Sequence, residues 1–310
     1  MRVVVVATGD IALPTWEWLV NSSCQILALV TQPDKPAGRR MQMTPPAIKL
    51  RAIAAGIPVM QPESLRRKSA IDAVSALKPD LIVVMAYGQV LNQRFLDIPP
   101  LGCINIHASL LPKYRGASCI QAALDQGDAE TGITVMYMVR ALDAGDVIWQ
   151  RPMAIRPQET AESLHDALAQ LAPLALADAM ELLRQGRASR LPQDESAVSY
   201  VGKLNREDGR LDWSRPADEL ERRIRAYHPW PGTFALLEQG MRVKIFPPVD
   251  VVAEATLPPG QGQVLGQQVL IGCGQGALAL SEVQTDGGKR IAAADFARGH
   301  RGEIRFSLAE

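Results

Sequence analysis

Cysteine and histidine are scarce in this sequence, and the spacing of the few that occur excludes several kinds of site. The 310 residues include four cysteines and four histidines. No two cysteines have the CxxC spacing of a zinc or redox motif, and the histidines form no HxxxH pair, so no metal site is expected. The cysteines are scattered through apolar or glycine-rich contexts. This indicates reduced thiols, which are typical of a cytoplasmic protein.

The motifs of several common enzyme classes are also absent. There is no GxxxxGK[ST] sequence, so a P-loop is not expected. The turn at residues 7–12 lacks GxGxxG, and Ser109 does not lie in a GxSxG nucleophile elbow. The glycine-rich segment 272–276 lies among short β-type runs, which favours a hairpin turn over a phosphate cradle.

Long apolar runs and net charge are lacking as well. The apolar run at residues 3–7 is too short for a signal peptide or a membrane span, and no other segment approaches the roughly 18 apolar residues that a span needs. We therefore expect a soluble cytoplasmic protein without a membrane partner. Lys plus Arg and Asp plus Glu number 33 each, so no overall field attracts nucleic acid. Between residues 30 and 70, however, eight basic side chains accompany two acidic ones. On its own such a run is usually a solvated face.

Apolar β-type runs alternate with helical stretches over residues 1–188. The strand-type runs are 3–7, 26–31, 81–85, 103–106, 132–138 and 147–150. The helical stretches are 14–21, 46–55, 69–77, 118–125 and 160–185. This alternation predicts the α/β class, with an open sheet and right-handed crossovers.

The pattern changes in the last third of the chain. Residues 189–206 have little periodicity, and we predict a surface linker there. In residues 207–310 a helix at 216–227 precedes short strand-type runs at 233–239, 241–247, 262–266, 268–273 and 277–284, and a closing helix follows at 289–298. These features predict a small all-β domain, either a barrel or a sandwich.

An amide and an imidazole stand close together at the end of the predicted fourth strand. Asn105 and His107 flank Ile106, so both project from one face of the strand, at the sheet edge where α/β proteins bind ligands. Asp143, in the turn after the fifth strand, could orient and charge-stabilise the imidazole. His107 and Asp143 also have ordinary structural interpretations. The histidine could simply hydrogen-bond a backbone carbonyl, and the aspartate could simply occupy a turn position. Together they suit acyl transfer between two bound substrates, because the amide and the imidazole can serve an oxyanion.

The residues around this pair resemble a known family. The segment NIHASLLP, residues 105–112, is similar to the NxHxSLLP signature of the formyltransferases that use 10-formyltetrahydrofolate. The resemblance continues through YRGA at 114–117, GDAETG at 127–132 and LDAGD at 142–146. The segments QPDKPAGR at 32–39, AYGQ at 86–89, DGRLDW at 208–213 and PWPG at 229–232 resemble the branch of that family that formylates methionyl-tRNA.

The resemblance implies a fold, a reaction and a set of functional residues. It implies a Rossmann-like, mostly parallel catalytic domain at residues 1–188 and an OB-like, tRNA-binding domain at 207–310. The implied reaction transfers the formyl group of 10-formyltetrahydrofolate to the free amine of methionyl initiator tRNA, without a metal, and we expect a cytoplasmic monomer. Catalysis is assigned to Asn105, His107 and Asp143. The folate site is placed at Ser109, Leu110, Leu111, Pro112, Ala86, Tyr87 and Gly88, and tRNA contacts at Lys35, Arg39 and Arg40, which makes the basic run an expected phosphate-contacting loop.

Two alternatives remain open from the sequence. A formyltransferase for a sugar nucleotide or another small amine would share the N-terminal chemistry, although the basic loop and the C-terminal β domain favour tRNA. A non-catalytic tRNA-binding protein on the same fold would have no need of the three catalytic residues. The first turn, residues 7–11, departs from the family pattern on the side expected to face the amine.

Overall fold

The computed structural model describes residues 1–38, 41–300 and 304–308, which contain twenty strands, eight α-helices and three short 3-10 helices. In chain order the strands are β1 (Arg2–Ala7), β2 (Gln25–Val30), β3 (Lys35–Ala37), β4 (Gln42–Thr44), β5 (Val59–Met60), β6 (Leu81–Met85), β7 (Cys103–His107), β8 (Arg115–Gly116), β9 (Glu130–Tyr137), β10 (Val147–Ala154), β11 (Tyr200–Val201), β12 (Thr233–Leu236), β13 (Arg242–Ile245), β14 (Val249–Val252), β15 (Gln261–Leu265), β16 (Gln268–Gly272), β17 (Ala277–Leu280), β18 (Glu282–Thr285), β19 (Ile291–Ala292) and β20 (Ile304–Arg305). The helices are α1 (Leu13–Val20), α2 (Ala47–Ala54), α3 (Lys68–Ala76), α4 (Gln93–Leu96), α5 (Cys119–Asp125), α6 (Ala161–Arg184), α7 (Ala217–Ala226) and α8 (Ala293–Gly299). None of the helices in these described ranges is both long and apolar enough to cross a membrane.

The chain divides into two units. The first comprises Met1–Cys119, Glu130–Ala154 and His165–Val201. The second comprises Ile120–Ala129, Ile155–Leu164 and Gly202–Glu310.

A seven-stranded sheet forms the centre of the first unit, in the order β10-β9-β7-β6-β1-β2-β5. Strands β1, β2, β5, β6 and β7 are parallel. The sheet is therefore mostly parallel and Rossmann-like, which confirms the predicted class. Its central strands are apolar on both faces: every residue of β6 is buried, and Val3 to Ala7 of β1 are buried too. Parallel sheets require this pattern because helices cover both of their faces.

The direction of β9 differs from the simplest expectation for an α/β sheet. It pairs antiparallel with β7, so that His107 lies opposite Thr134 and Ile104 lies opposite Tyr137. The carboxyl end of β9 therefore lies beside the start of β7, and the N–H of Met138 donates to the Cys103 carbonyl at 2.8 Å. The loop at residues 138–146 begins at the sheet edge opposite to the one where β7 ends.

Most helix boundaries lie within a residue of the predicted ones, but a short helix and a short hairpin were missed. Helix α4 has four residues, too few for a periodic pattern, and the Asn92 side chain caps it by accepting from Phe95 N–H. The expected loop around Gly38 contains a β-hairpin, because β3 pairs with β4. Arg39 and Arg40, which belong to the predicted tRNA contacts, lie outside the described residues.

The second unit contains two antiparallel sheets, of four strands (β12-β13-β18-β19) and five strands (β14-β17-β16-β15-β20). They share one core with α7 and α8 that includes Trp213, Ile224, Val243 and Ile271. This arrangement is consistent with a small barrel and confirms the predicted β domain.

Three details of the second unit refine the prediction. The run at 277–284 is not one strand, since β17 and β18 belong to different sheets and the chain changes sheet at Ser281. The closing helix begins at Ala293 rather than residue 289, because residues 291–292 pair with β18. The glycine-rich segment 272–276 links antiparallel β16 and β17, so its interpretation as a hairpin turn is confirmed.

Candidate active site

His107, the last residue of β7, is buried, with 7% of its surface exposed. Its Nε2 lies 2.8 Å from the Tyr114 carbonyl oxygen, to which it donates when that nitrogen is protonated. Its Nδ1 lies 3.9 Å from Oδ2 of Asp143. Two of the three predicted catalytic residues are thus close together, at a distance that is longer than a hydrogen bond.

The environment of His107 favours its charged form. Burial alone would lower the pKa of His107, but the neighbouring Cys119 side chain, the Asp143 carboxylate and the Tyr114 carbonyl outweigh it and raise the pKa from 6.5 to about 9. An imidazole with this pKa carries a proton at neutral pH. It can therefore present a positive charge to a developing oxyanion.

Asp143 is held in a backbone conformation that is unusual for a residue with a side chain. Its φ is +48°, in the left-handed region, where aspartate is one of the better-tolerated residues. Its Oδ2 accepts a hydrogen bond of 2.9 Å from the Gly116 backbone N–H. Backbone strain of this kind concentrates at functional sites, where the surrounding structure sustains it.

Asn105 lies two residues before His107 on β7 and is half-buried. It is opposite Val84 of β6 on one side and Met136 of β9 on the other. Alternate residues of a strand point to the same face, so the amide projects from the same face of the sheet as the imidazole.

The segment after β7 is anchored by a residue that the sequence interpretation missed. The hydroxyl of Thr134, fully buried on β9, donates to the Ser109 carbonyl at 2.6 Å and accepts from the Leu111 N–H at 3.0 Å. The Gln150 amide donates to the Leu111 carbonyl at 2.7 Å and to the Thr134 hydroxyl at 3.0 Å. These contacts fix the backbone of the predicted folate segment. Side chains of Leu110 and Pro112 are half-buried there, whereas those of Ser109 and Leu111 are buried.

The second predicted folate segment follows β6. Ala86 has φ +48° and its carbonyl accepts from the Gly9 N–H at 3.1 Å, which ties this segment to the divergent first turn. Gly88 has φ +79°, and a Cβ there would lie 2.9 Å from the Gln32 amide nitrogen. The Tyr87 hydroxyl is buried and has no hydrogen-bond partner within the described part of the chain. Burial raises the pKa of Tyr87 to about 12.

A second missed group lies around Arg115, a guanidinium that is only 1% exposed. Its Nε donates to Gln193 Oε1 at 3.0 Å, and its terminal nitrogens donate to Glu195 at 2.7 Å and to the Tyr200 hydroxyl at 3.1 Å. All three partners lie in or next to the segment that the sequence presents as a structureless linker. Their signal in the sequence is weak because isolated polar residues in an aperiodic stretch give no pattern.

Several members of the basic run at residues 30–70 are engaged in ion pairs. Lys49 lies 2.8 Å from Asp34, Arg67 lies 2.7 Å from Glu63 and Lys68 lies 2.8 Å from Asp72. Lys35, which is exposed on β3, donates to the Gln32 side chain. The run is therefore less strongly basic than its residue count suggests.

The described part of the chain holds no metal-binding group, and two cavities in it lie away from the predicted catalytic residues. Among the described residues, no three or more His, Cys, Asp or Glu side chains are grouped as a metal site would require. Cavities of about 240 and 170 Å³ lie in the second unit, and Asn105, His107 and Asp143 line neither of them.

Comparison with known proteins identifies the family to which this chain is similar. Residues 1–180 match the family Formyl transferase, and residues 203–301 match Formyl transferase, C-terminal domain. A methionyl-tRNA formyltransferase of Akkermansia muciniphila is 48% identical over 305 residues, which cover 97% of each chain. One of Geobacter sulfurreducens is 41% identical over 311 residues, covering all of this chain and 97% of its own.

Solved structures with much lower sequence identity share the fold. The sugar 3N-formyl transferase WlaRD, solved in the presence of dTDP and 5-N-formyl-THF, superposes with a TM-score of 0.67 at 15% identity, covering 90% of this chain and 97% of its own. HypX from Aquifex aeolicus in complex with tetrahydrofolic acid superposes with a TM-score of 0.64 at 18% identity, covering 96% of this chain and 47% of its own. Because both family domains match and the curated relatives are similar along nearly their whole length, this chain belongs to the formyl transferase family of enzymes.

Proposed function

We propose that this enzyme transfers a formyl group from 10-formyltetrahydrofolate to the free amino group of methionyl initiator tRNA. The observation that carries the proposal is the 48% identity, along 97% of both chains, to a relative named methionyl-tRNA formyltransferase. The presence of both family domains supports it, because the C-terminal domain gives a large acceptor a second surface. We expect the enzyme to act as a monomer in the cytoplasm.

The proposed reaction is a direct attack. The amine nitrogen of the methionyl group bonds to the formyl carbon, and the carbonyl oxygen takes up the negative charge of the tetrahedral intermediate. The bond between that carbon and N10 then breaks. Tetrahydrofolate leaves with the proton that the amine gives up, so no oxidant, metal or covalent enzyme intermediate is required.

Asn105 and His107 stabilise the oxyanion in this proposal. The Asn105 amide donates a hydrogen bond from the face of β7 that His107 shares. Nε2 of His107 donates to the Tyr114 carbonyl, and Nδ1, on the side of Asp143, is the proposed donor to the reacting oxygen. The raised pKa of His107 supports this role, because a charged donor strengthens as negative charge develops nearby.

Asp143 keeps the imidazole charged and receives the proton of the attacking amine through water. Its Oδ2 is 3.9 Å from Nδ1, close enough for its negative charge to favour the protonated imidazole. The Gly116 N–H orients this oxygen, because it donates a hydrogen bond of 2.9 Å to it.

The folate co-substrate is proposed to bind along the segments 86–88 and 109–112. The unpartnered Tyr87 hydroxyl supports this position, because a buried polar atom without a partner is costly unless a ligand supplies one. The half-buried Leu110 and Pro112 offer apolar surface to a flat pterin ring. Fixed backbone at Ser109 and Leu111 would keep that surface in place.

The tRNA is proposed to contact Lys35 on β3, the basic residues Arg39 and Arg40 that follow it in sequence, and the C-terminal domain at 207–310. Exposed Lys and Arg side chains neutralise backbone phosphates and release counterions, so the affinity falls with salt. The exposed position of Lys35 on β3 supports this assignment.

The test is a formyl-transfer assay with 10-formyltetrahydrofolate and methionyl-tRNA, using Asn105→Ala and His107→Ala. Removing one oxyanion donor typically lowers the rate on the order of 10²–10³-fold, and tRNA binding should be unchanged. His165→Ala is the matched control, because this half-exposed histidine pairs with its neighbour Asp166 at 3.0 Å, away from the predicted site. Near-normal turnover in both catalytic variants would refute the roles of Asn105 and His107.

The same assay also tests which amine the enzyme uses as the acceptor of the formyl group. Methionyl-tRNA, free methionine amide and an amino-sugar nucleotide are offered to the unaltered enzyme. The proposal expects turnover with methionyl-tRNA and little with the small amines. The reverse order would favour the small-amine alternative.

A further inference from the structure

The segment at residues 191–201, here named the strap, is attached to the first unit at three places. At its start, Leu191 and Val147 exchange backbone hydrogen bonds of 2.8 and 3.1 Å. At its end, β11 pairs parallel with β8, so that Tyr200 lies opposite Arg115. Between these ends most of its residues are exposed, but Gln193 is half-buried and points into the unit. The strap therefore presents the Gln193 side chain to the interior, between two backbone attachments.

The amide of Gln193 uses both of its ends in hydrogen bonds, and its nitrogen binds the loop that carries Asp143. Its Nε2 donates to the Asp143 carbonyl at 2.8 Å and to the Gly145 carbonyl at 2.9 Å. Its Oε1 accepts from Arg115 Nε at 3.0 Å. This arrangement also fixes which end of the amide is nitrogen, since carbonyls accept and a guanidinium donates.

Arg115 in turn is held from several sides. Glu195 and Tyr200 of the strap accept from its terminal nitrogens, and its own backbone N–H donates to the Ser199 carbonyl at 2.8 Å. A guanidinium fixed at this many points is a rigid support for the amide it contacts. The next residue, Gly116, donates its N–H to the Asp143 carboxylate.

Asp143 is thus fixed from two directions by one structural unit. Its carbonyl is bound by Gln193, and its carboxylate is bound by Gly116, which pairs with Val201 of the strap. The left-handed φ of +48° is an unfavourable conformation that needs such support to persist. Because β9 runs antiparallel to β7, the position of Asp143 beside His107 does not follow from the strand ends, and the loop needs another constraint.

We infer that Gln193 is a positioning residue, because its amide holds Asp143 in the backbone conformation that brings the carboxylate beside His107. The inference rests on the formyl transfer proposed above for its effect on rate. Its structural content is independent of the substrate, since the relation between Asp143 and His107 is a property of the enzyme alone. Gln193 touches no reacting atom and acts through the loop.

The test compares Gln193→Met with Asp194→Ala. Methionine has nearly the size of glutamine but neither donates to the two carbonyls nor accepts from Arg115. The side chain of Asp194, its exposed neighbour, accepts from the Ser196 backbone N–H at 2.9 Å and from the Ser196 hydroxyl at 2.7 Å. Its removal therefore loosens the strap locally without removing a bond to the loop. Gln193→Glu is a second variant, which keeps the acceptor for Arg115 and removes the donors.

The first readout is the titration of His107, followed by NMR of its ring in the whole enzyme without substrate. The groups that face this ring are the Asp143 carboxylate, the Cys119 side chain and the Tyr114 carbonyl. In Gln193→Met the carboxylate moves away, so the ring should titrate at a lower pH than in the unaltered enzyme. The titration of Asp194→Ala should match that of the unaltered enzyme. An unchanged titration in Gln193→Met overturns the inference, as does an equal shift in Asp194→Ala.

The second readout is the steady-state rate of formyl transfer. Both Gln193 variants should lose on the order of 10-fold in kcat with unchanged KM for both substrates, since misplacement of a catalytic group slows the chemical step. The high-pH fall of the rate in Gln193→Met should also move to lower pH. Normal kcat in both variants overturns the positioning role. If the unaltered enzyme formylates no methionyl-tRNA while the NMR shift is present, the proposed function fails and the positioning of Asp143 is upheld.

Discussion

The backbone N–H of Gly116 donates to Oδ2 of Asp143 at 2.9 Å, and the same oxygen lies 3.9 Å from Nδ1 of His107. Gly116 has φ +117°, and a Cβ at this position would lie 2.1 Å from the Val201 carbonyl oxygen, so only glycine fits. One carboxylate oxygen therefore connects the turn after the NxH strand to the imidazole. The geometry of this contact underlies the first two predictions.

Asp143→Asn should separate the charge of this residue from its shape. Asparagine can accept from the Gly116 N–H and tolerates the left-handed conformation, so the fold should be kept. The pKa of His107 should fall because a negative charge beside it is lost, and kcat should drop on the order of 10²-fold. The measurements are kcat as a function of pH and the melting temperature. Unchanged kcat at every pH would argue against a role for the carboxylate.

The free energy of unfolding should depend on pH through His107. Its pKa is raised from 6.5 to about 9, so the stabilisation is fully present below pH 6.5 and is lost as the pH rises through about 9. A shift of this size corresponds to at most ~3 kcal/mol. Urea unfolding of the unaltered protein and of His107→Gln, below pH 6.5 and above pH 9, measures it. The difference between the two proteins should be larger at the lower pH, and an equal difference at both would contradict the assignment.

Thr134→Val should affect both stability and folate binding. The substitution keeps the volume but removes the hydroxyl that bonds to Ser109, Leu111 and Gln150, which should cost about 1–3 kcal/mol because buried polar groups lose their partner. The KM for 10-formyltetrahydrofolate should rise while that for tRNA should not. The control is Thr131→Val, at a buried threonine on the same strand. Equal effects of both substitutions would show that the hydroxyl of Thr134 has no special role.

Lys35→Ala and Arg39→Ala should each weaken tRNA binding and reduce its dependence on salt. One lost phosphate contact lowers the slope of log K against log salt by about 0.7–0.9. Filter binding over a range of salt concentrations gives the slope, and folate affinity should be unchanged. Arg67→Ala is the control, because that side chain is paired with Glu63 at 2.7 Å. If neither Lys35→Ala nor Arg39→Ala changes the slope, the tRNA binds elsewhere.

The sequence predicts the sheet and most helices because these elements have strong local patterns of apolar residues. The valines of β1 and the LIVVM of β6 can only be buried strands, and α6 shows a long helical period. Short or switching elements give no such pattern. The four-residue α4, the three-residue strands β3 and β4, and the change of sheet at Ser281 depend on contacts with residues far along the chain.

The candidate site shows the same division. Asn105 and His107 share a face because they alternate on one strand, and this follows from the sequence alone. The closeness of Asp143 to His107 does not, because β9 is antiparallel and its loop must run back towards the end of β7. Thr134, Arg115 and Gln193 were missed for a related reason, since each acts on a segment that is distant in sequence.

The pairing of β11 with β8 has a practical consequence for dissecting the enzyme. A fragment that stops at residue 188 discards three attachments: the bonds of Leu191 to Val147, those of Gln193 to the 138–146 loop, and the pairing of β11 with β8. Extending the fragment through Val201 retains all three. Any truncated catalytic domain should therefore end beyond Val201. A shorter fragment would contain all of the catalytic residues but would lack the bonds that hold the Asp143 loop in the whole enzyme.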